Sequence, residues 1–232
     1  MSPGRVVSLV PSVTETLLAW GIRPVACTRF CEQPDLPAVG GTKDPDLAAV
    51  VRLAPDVVVM CDEENRREDA DALAAAGIAV HSCSPRSVAD VGPALVALAD
   101  AVGAAPPELT PVPDLVPLRL RAFVPIWRRP WMSIGAETYG ASVLDALGVE
   151  NVCAGAADRY PEVVLDEVRA QRPDIVLAPS EPYPFRERHV AELEQVAPTV
   201  LVDGQDLFWW GVRTPSALVR LHDRIAGVSP RG

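Results

Sequence analysis

Short apolar runs alternate with amphipathic stretches along almost the whole chain. Runs at Arg5–Val10, Pro24–Cys27, Asp56–Met60, Ile78–His81, Leu120–Ile126, Pro173–Leu177 and Thr199–Val202 read as strands. Asp56–Met60 is continuously apolar, as expected of a strand covered on both faces. Between the runs lie segments of helical spacing. The first opens on Ser12 with Glu15 three residues on, a capping-box pattern, and stops at Gly21. Others run from Asp46 to just before Pro55, from Arg66 to Ala76, from Glu137 to Leu147, through Asp166–Gln171, and from Pro215 to Ile225. From Ser87 to Gly103, Val91, Leu95, Leu98 and Val102 recur on one helical face. Strand alternating with helix predicts right-handed crossovers and mostly parallel sheets.

The pattern repeats. Leu18-Ala-Trp-Gly21-Ile22 matches Asp145-Ala-Leu-Gly148-Val149, and Pro55-Asp56 before one apolar run matches Pro173-Asp174 before another. Both matches are offset by roughly half the chain, which predicts two lobes of like topology. Ala104–Pro117 holds five prolines and reads as an extended linker. The expected fold is therefore α/β, with two Rossmann-like lobes of parallel sheet and an interlobe cleft, joined by a helix and Pro-rich linker. The lobes are placed at 1–86 and 119–232, with the connection at 87–118.

Composition narrows the partners. The 232 residues carry a net charge of −10, which argues against nucleic acid and anionic membrane surfaces. No run of eighteen apolar residues is present to span a membrane. Met1-Ser-Pro-Gly-Arg leads straight into the first strand with no charged and apolar leader, so a cytoplasmic location is expected, or an extracytoplasmic one if a leader was removed. The five cysteines have no framework spacing and read as reduced thiols.

The most informative stretch is Asp203-Gly-Gln-Asp-Leu-Phe208-Trp209-Trp210-Gly-Val-Arg213-Thr-Pro. It follows a strand and reads as a loop at the strand's carboxyl end, where open α/β sheets bind ligands. Covering one such ring removes about 150–250 Å² from water, so an open aromatic loop calls for something flat and partly apolar to stack on it. The competing reading is that the rings fill core.

Arg5-Val-Val-Ser-Leu-Val-Pro-Ser-Val-Thr-Glu-Thr-Leu-Leu-Ala-Trp-Gly resembles the opening of class III solute-binding proteins. Val39-Gly-Gly-Thr-Lys-Asp-Pro-Asp-Leu, Leu53-Ala-Pro-Asp-Val-Val-Val, Asp174-Ile-Val-Leu-Ala-Pro and the Asp203–Pro215 stretch continue the likeness over nearly the whole chain. It is nearest to the cobalamin-binding receptors of ABC importers, the helical backbone metal receptors. Corrinoid, heme and siderophore receptors share these blocks. The resemblance implies two lobes joined by a long helix, a corrinoid or other metal chelate held between them as ligand, no intrinsic cofactor, and aromatic stacking. It assigns Trp209 and Trp210 a ligand face, with Phe30 as partner from the first lobe. Importer receptors dock on an ABC permease through an acid on each lobe. Here Ala48 stands at the first position, while Asp166 and Glu167 stand at the second. The prolines at 106, 107, 111 and 113 shorten the connecting helix.

Other strand-end residues complete the candidate site. Thr42 and Lys43 lie in a turn-rich loop, and Glu63, Glu64 and Asn65 follow the Asp56–Met60 run. The last three read either as helix N-terminal residues favoured by the dipole or as polar ligand contacts. In the second lobe Tyr183 stands between two prolines, while Trp127 and Trp131 flank two arginines; Phe208 and Arg213 join them as candidate contacts. Each aromatic reads equally as an anchor for its own loop. Cys27, Cys31, Cys61 and Cys83 fall at strand ends near His81, which admits a thiolate metal site. His189 and His222 read as surface residues. No nucleophile elbow, phosphate loop or zinc-protease motif is present. A binding protein is the preferred reading. The alternative is a cytoplasmic enzyme or sensor on the same fold, using acidic loops at Asp62, Glu137 and Glu181.

Overall fold

The computed structural model describes residues 4–105, 108 and 110–227. These fall into two compact units. The first draws on Met1–Pro85, Ala89–Thr110 and Trp210–Val212; the second on Arg86–Val88, Pro111–Trp209 and Arg213–Gly232.

In the first unit, β1 (Val6–Ser8), β2 (Ala26–Cys27), β3 (Val57–Met60) and β4 (Ala79–Ser82) form a parallel sheet of order β2-β1-β3-β4. Helices α1 (Pro11–Ala19), α2 (Leu47–Arg52) and α3 (Arg67–Ala75) make the crossovers. Val7, Leu9, Val50, Val58, Met60 and Leu73 fill the core. Every residue of β3 is buried, as its unbroken apolar run requires. Helix α4 (Val88–Ala101) buries Val91, Leu95, Leu98 and Ala99, the stripe expected from its spacing. Beyond it the described linker residues adopt neither helix nor strand before Leu120; Pro106 and Pro107 lie outside the described residues.

In the second unit, β5 (Leu120–Phe123), β8 (Val149–Asn151), β9 (Ile175–Pro179) and β10 (Thr199–Val202) form a parallel sheet of order β10-β9-β5-β8. The sequence rank of the strands is the same as in the first unit. Helices α5 (Tyr139–Ala146), α6 (Leu165–Ala170) and α7 (Glu187–Leu193) are its crossovers. Gly21 and Gly148, with φ of 74° and 70°, turn the chain out of α1 and α5 in the left-handed conformation.

The Pro-Asp repeat has a shared job. Asp56 Oδ2 accepts from the Arg5 N–H at 2.6 Å, and Asp174 Oδ2 from the Arg121 N–H at 2.7 Å. The Arg5 guanidinium donates to the Leu53 carbonyl at 2.8 Å, and that of Arg121 to the Gln171 carbonyl. Each clamp fastens the amino ends of the two central strands of its sheet, leaving the carboxyl ends for other loops.

Four local expectations need correction. Ser12 caps nothing: α1 begins at Pro11 with Val10 as its cap, and the Ser12 hydroxyl is buried without a partner. Proline at the first helical position has already set the backbone there. The Leu120–Ile126 run is two strands, because β6 (Pro125–Trp127) leaves the sheet to pair with β7 (Met132–Ser133) as an antiparallel hairpin. The Asp203–Pro215 stretch is not an open loop. Gly204–Phe208 is a short helix, α8, capped by the Asp203 carboxylate, and α9 (Thr214–Ala226) follows closely. His189 is buried and His222 half-buried, rather than lying on the surface.

Candidate functional site

In the first unit the carboxyl ends of β1 and β3 are joined by one amide. Asn65 is 5% exposed; its Oδ1 accepts from the Cys61 N–H at 2.8 Å, and its Nδ2 donates to the carbonyls of Leu9 at 3.1 Å and Thr42 at 2.9 Å. Lys43 Nζ donates to the Glu63 carbonyl at 2.9 Å. Thr42, Lys43, Glu63, Glu64 and Asn65 are therefore one polar edge, as sequence order alone does not reveal. Within it Asn65 has its amide spent on backbone, so its place is to position the three loops.

Phe30 joins this edge through Arg29. It sits on a single 3₁₀ turn, Arg29–Cys31, with its ring 49% exposed. The Arg29 guanidinium lies 4.8 Å from the ring centre and pairs with Asp44 at 3.0 Å. The turn carrying Phe30 is thus fixed to the loop carrying Thr42 and Lys43.

The cysteines do not form one metal cluster. Cys31 lies with Cys27 in a small apolar cluster, while Cys61 Sγ faces the Ser84 hydroxyl at 3.6 Å and Cys83 Sγ the Met60 carbonyl at 3.5 Å. Among the described residues no group of three or more His, Cys, Asp or Glu is arranged to hold a metal ion. Short strands end at different heights, and each thiol is taken into the core beneath its own loop. Burial first, then Glu64, pushes the Cys61 thiol up to about 11. Burial also raises Cys83 and Cys153.

The second unit presents rings instead. Trp127, at the end of β6, is 45% exposed and meets Tyr183 edge-on at 5.7 Å. Tyr183 lies 4.8 Å from Phe185, which stacks on Trp131 at 6.0 Å with ring planes 6° apart. Arg128 braces the row, bonded to Glu192 at 2.9 Å and 5.9 Å from the Trp131 ring. Trp127, Trp131 and Tyr183 are brought together as one surface. Phe185 and His189 belong to it and were not among the expected residues. His189 Nδ1 accepts from the Arg186 N–H at 3.0 Å, closing the start of α7, and its ring packs 5.5 Å from Tyr183. The signal was a side chain three residues into a helix, where it can reach back to the cap. Burial first, then Arg188 and Arg128, lowers the His189 pKa.

Around α8 the expected residues part company. Phe208 is half-buried, with its ring against Gly140. Trp209 is half-buried beneath Arg213, whose guanidinium lies 5.1 Å from the ring. Arg213 is already engaged: it bonds Asp206 at 3.2 Å and Gln205 at 3.1 Å, and Asp206 also receives Arg220 at 2.6 and 2.8 Å. Trp210 is 4% exposed and groups with the first unit, so it is core rather than an open stacking face. The reason lies in its neighbour. Gly211 has φ of 131°, and a Cβ there would collide with Thr16 Oγ1, so the backbone itself lies against α1 and draws Trp210 inward.

A separate cavity of about 370 Å³ opens beside α6, lined by Val152, Cys153, Val163, Val168, Glu162 and Glu167 among others. None of the expected ligand residues lines it.

Comparison with known proteins finds chains similar in sequence and in fold. The chain is similar to the vitamin B12-binding protein of Salmonella paratyphi A, 26% identical over 191 residues that make up 75% of this chain and 71% of the relative. The chain is similar to vitamin B12-binding proteins. Its fold matches the periplasmic vitamin B12 binding protein of Vibrio cholerae, with a TM-score of 0.77 at 17% identity over 98% of this chain and 99% of the other. It equally matches a periplasmic heme binding protein from Pseudomonas aeruginosa, with a TM-score of 0.77 at 18% identity over 100% and 96% of the two chains. The resemblance to class III solute-binding proteins read from the sequence stands. No protein-family model matches the chain.

Proposed function

We propose that this chain is a solute-binding protein for a corrinoid or another flat metal chelate. The observation that carries the reading is the likeness to vitamin B12-binding proteins across three quarters of the chain. The exposed Trp127, backed by the half-buried Tyr183, in one unit and the exposed Phe30 in the other support it, since Trp127 and Phe30 each offer an aromatic face to a macrocycle. Thr42, Lys43, Glu63 and Glu64 supply polar contacts to the ligand's amide or carboxylate groups. The relatives are binding proteins, which favours this reading over an enzyme using the same acidic loops.

Several structural neighbours are periplasmic, and they favour the extracytoplasmic location over the cytoplasmic one. No helix among the described residues is long and apolar enough to cross a membrane. Delivery to an ABC permease would use the exposed Asp166 and Glu167 in the first turn of α6; Ala48, exposed on α2, offers no charge.

Titrating the purified protein with cobalamin, cobinamide and heme while following Trp fluorescence tests the reading. Saturable quenching by at least one is expected, weakened by Trp127→Ala and by Phe30→Ala. No quenching by any of the three would overturn it.

A further inference from the structure

We propose that Cys27 and Cys31 form a peroxide-reactive dithiol, which a hydroperoxide oxidises to an intramolecular disulfide. The two cysteines are brought into one cluster by a short connection. Cys27 ends β2, Thr28 caps the next turn, and Cys31 closes it, its N–H bonding the Thr28 carbonyl at 3.1 Å. Both thiols are buried in one small cluster with Leu36. The Cys31 sulfur lies 3.1 Å from the Thr14 hydroxyl and 3.2 Å from the Thr28 hydroxyl. Thr14 belongs to the first turn of α1, so the sulfur also sits near the positive end of a helix.

These neighbours favour a thiolate at Cys31. Cys27 beside it and the Thr14 and Thr28 hydroxyls together outweigh burial and lower its pKa. Cys27 is held as the thiol, its pKa raised by Cys31 and by burial. The other three cysteines are all shifted upward, which leaves Cys31 as the activated sulfur among five.

Burial narrows the oxidant. Cys27 is 1% exposed and Cys31 3%, which bars a protein disulfide, so the oxidant proposed is a small hydroperoxide. The Cys31 thiolate attacks the terminal oxygen of the hydroperoxide, the O–O bond breaks, and the leaving alkoxide or hydroxide takes up a proton. Cys31 becomes a sulfenic acid. The Cys27 thiol gives up its proton and attacks that sulfur, releasing water. In sum, two thiols and one hydroperoxide give one disulfide, one alcohol (or water) and one water; the sulfurs lose two electrons and the peroxide gains them.

The test uses the intact, unliganded protein and a small excess of hydrogen peroxide, followed by denaturing alkylation and peptide mass mapping. A Cys27–Cys31 linked peptide is expected, reversible by dithiothreitol, with Cys61, Cys83 and Cys153 still alkylated. Cys27→Ser should stop at a Cys31 sulfenic acid trapped by dimedone, and Cys31→Ser should leave Cys27 unoxidised. Thr14→Val should slow wild-type disulfide formation at neutral pH about tenfold, as expected for losing a hydrogen bond to a charged sulfur. Absence of the linked peptide from the wild-type protein while its circular dichroism stays native would overturn the proposal. So would oxidation of all five cysteines at one rate.

Discussion

The two units share a strand order and differ in what they place at the strands' carboxyl ends. In the first, the ends of β1 and β3 and the Thr42 loop are tied by the Asn65 amide, and a single ring, Phe30, stands exposed. In the second, the corresponding region is a bed of rings, Trp127, Trp131, Tyr183 and Phe185, braced by Arg128 and Glu192. The amino ends, by contrast, carry the same Arg–Asp clamp in both. The two units therefore share the fastening of their strands and differ at the opposite edge. One unit is built to hold its loops by hydrogen bonds, the other by packing.

The largest expected effect breaks the second unit at a buried charge that has no counterpart among the described residues of the first. Asp206 is 4% exposed and accepts from both Arg213 and Arg220, tying α8 to α9. Asp206→Ala removes the buried anion that Arg213 and Arg220 share and should destabilise the protein by about 3–5 kcal/mol in urea denaturation. Asp206→Asn, which keeps the shape and loses the charge, should do less. An effect below about 1 kcal/mol would show that these arginines find water instead.

Next comes the matched pair of amides. Asn65→Ala removes three hydrogen bonds under the first unit's edge and should lower stability by about 3 kcal/mol. Asn151→Ala, which removes bonds to the Ile134 carbonyl and the Cys153 N–H in the second unit, should lower it by about 2 kcal/mol. Equal losses would mean that rings and hydrogen bonds hold their loops no differently. If Asn65→Ala also weakens ligand quenching while Asn151→Ala does not, the first unit's edge owes its shape to that one amide.

A smaller effect is expected where the chain between α8 and α9 rests on α1. Gly211→Ala sets a methyl against Thr16 Oγ1 in a backbone conformation that L-residues rarely adopt, and should cost about 2 kcal/mol. Thr16→Ala in the same protein removes the collision but not the backbone strain, and loses the Thr16 bonds to the Ser12 carbonyl at 3.0 Å and the Val212 N–H at 3.4 Å. The double variant should therefore recover only part of the loss, measured as a coupling between the two sites.

This last contact shows where the sequence stops being legible. The sheet strands were readable because each is a covered apolar run between turn residues, and the repeat of Pro-Asp announced the doubled topology. The polar edge and the ring bed were readable as residues, since strand ends are where they fall. What could not be read was orientation. Phe208, Trp209 and Trp210 look alike as three adjacent rings, yet one backbone approach at Gly211 buries the third and leaves the other two half-covered. Likewise His189 looks like a helix surface residue until its ring is seen to close the cap of its own helix. Both outcomes depend on a partner far away or on a local hydrogen bond, and neither leaves a periodic trace.

The smallest effect compares two histidines, one in each unit. His81 on β4 and His189 on α7 both have lowered pKa values, His81 through burial and His189 through burial assisted by Arg188 and Arg128. A histidine depressed on folding binds its proton more readily in the unfolded chain, so its contribution is complete above the ordinary value of about 6.5. It is lost as pH falls below that value and through the lowered one. Stability measured by urea denaturation in a Cys31→Ser background, which removes the lowered thiol that would itself lose its contribution as pH falls through neutrality, should therefore be flat just above neutrality and decline on acidification, beginning near the ordinary histidine pKa and ahead of the carboxylates. His189→Phe removes the group from the ring bed but also the acceptor for the Arg186 N–H, so the variant should start lower and lose less on acidification. His81→Gln, on an edge strand, should change the starting stability little while flattening the same limb. Should the limb survive in the double variant, the acid sensitivity belongs to the carboxylates, and the two units do not differ in how they meet low pH.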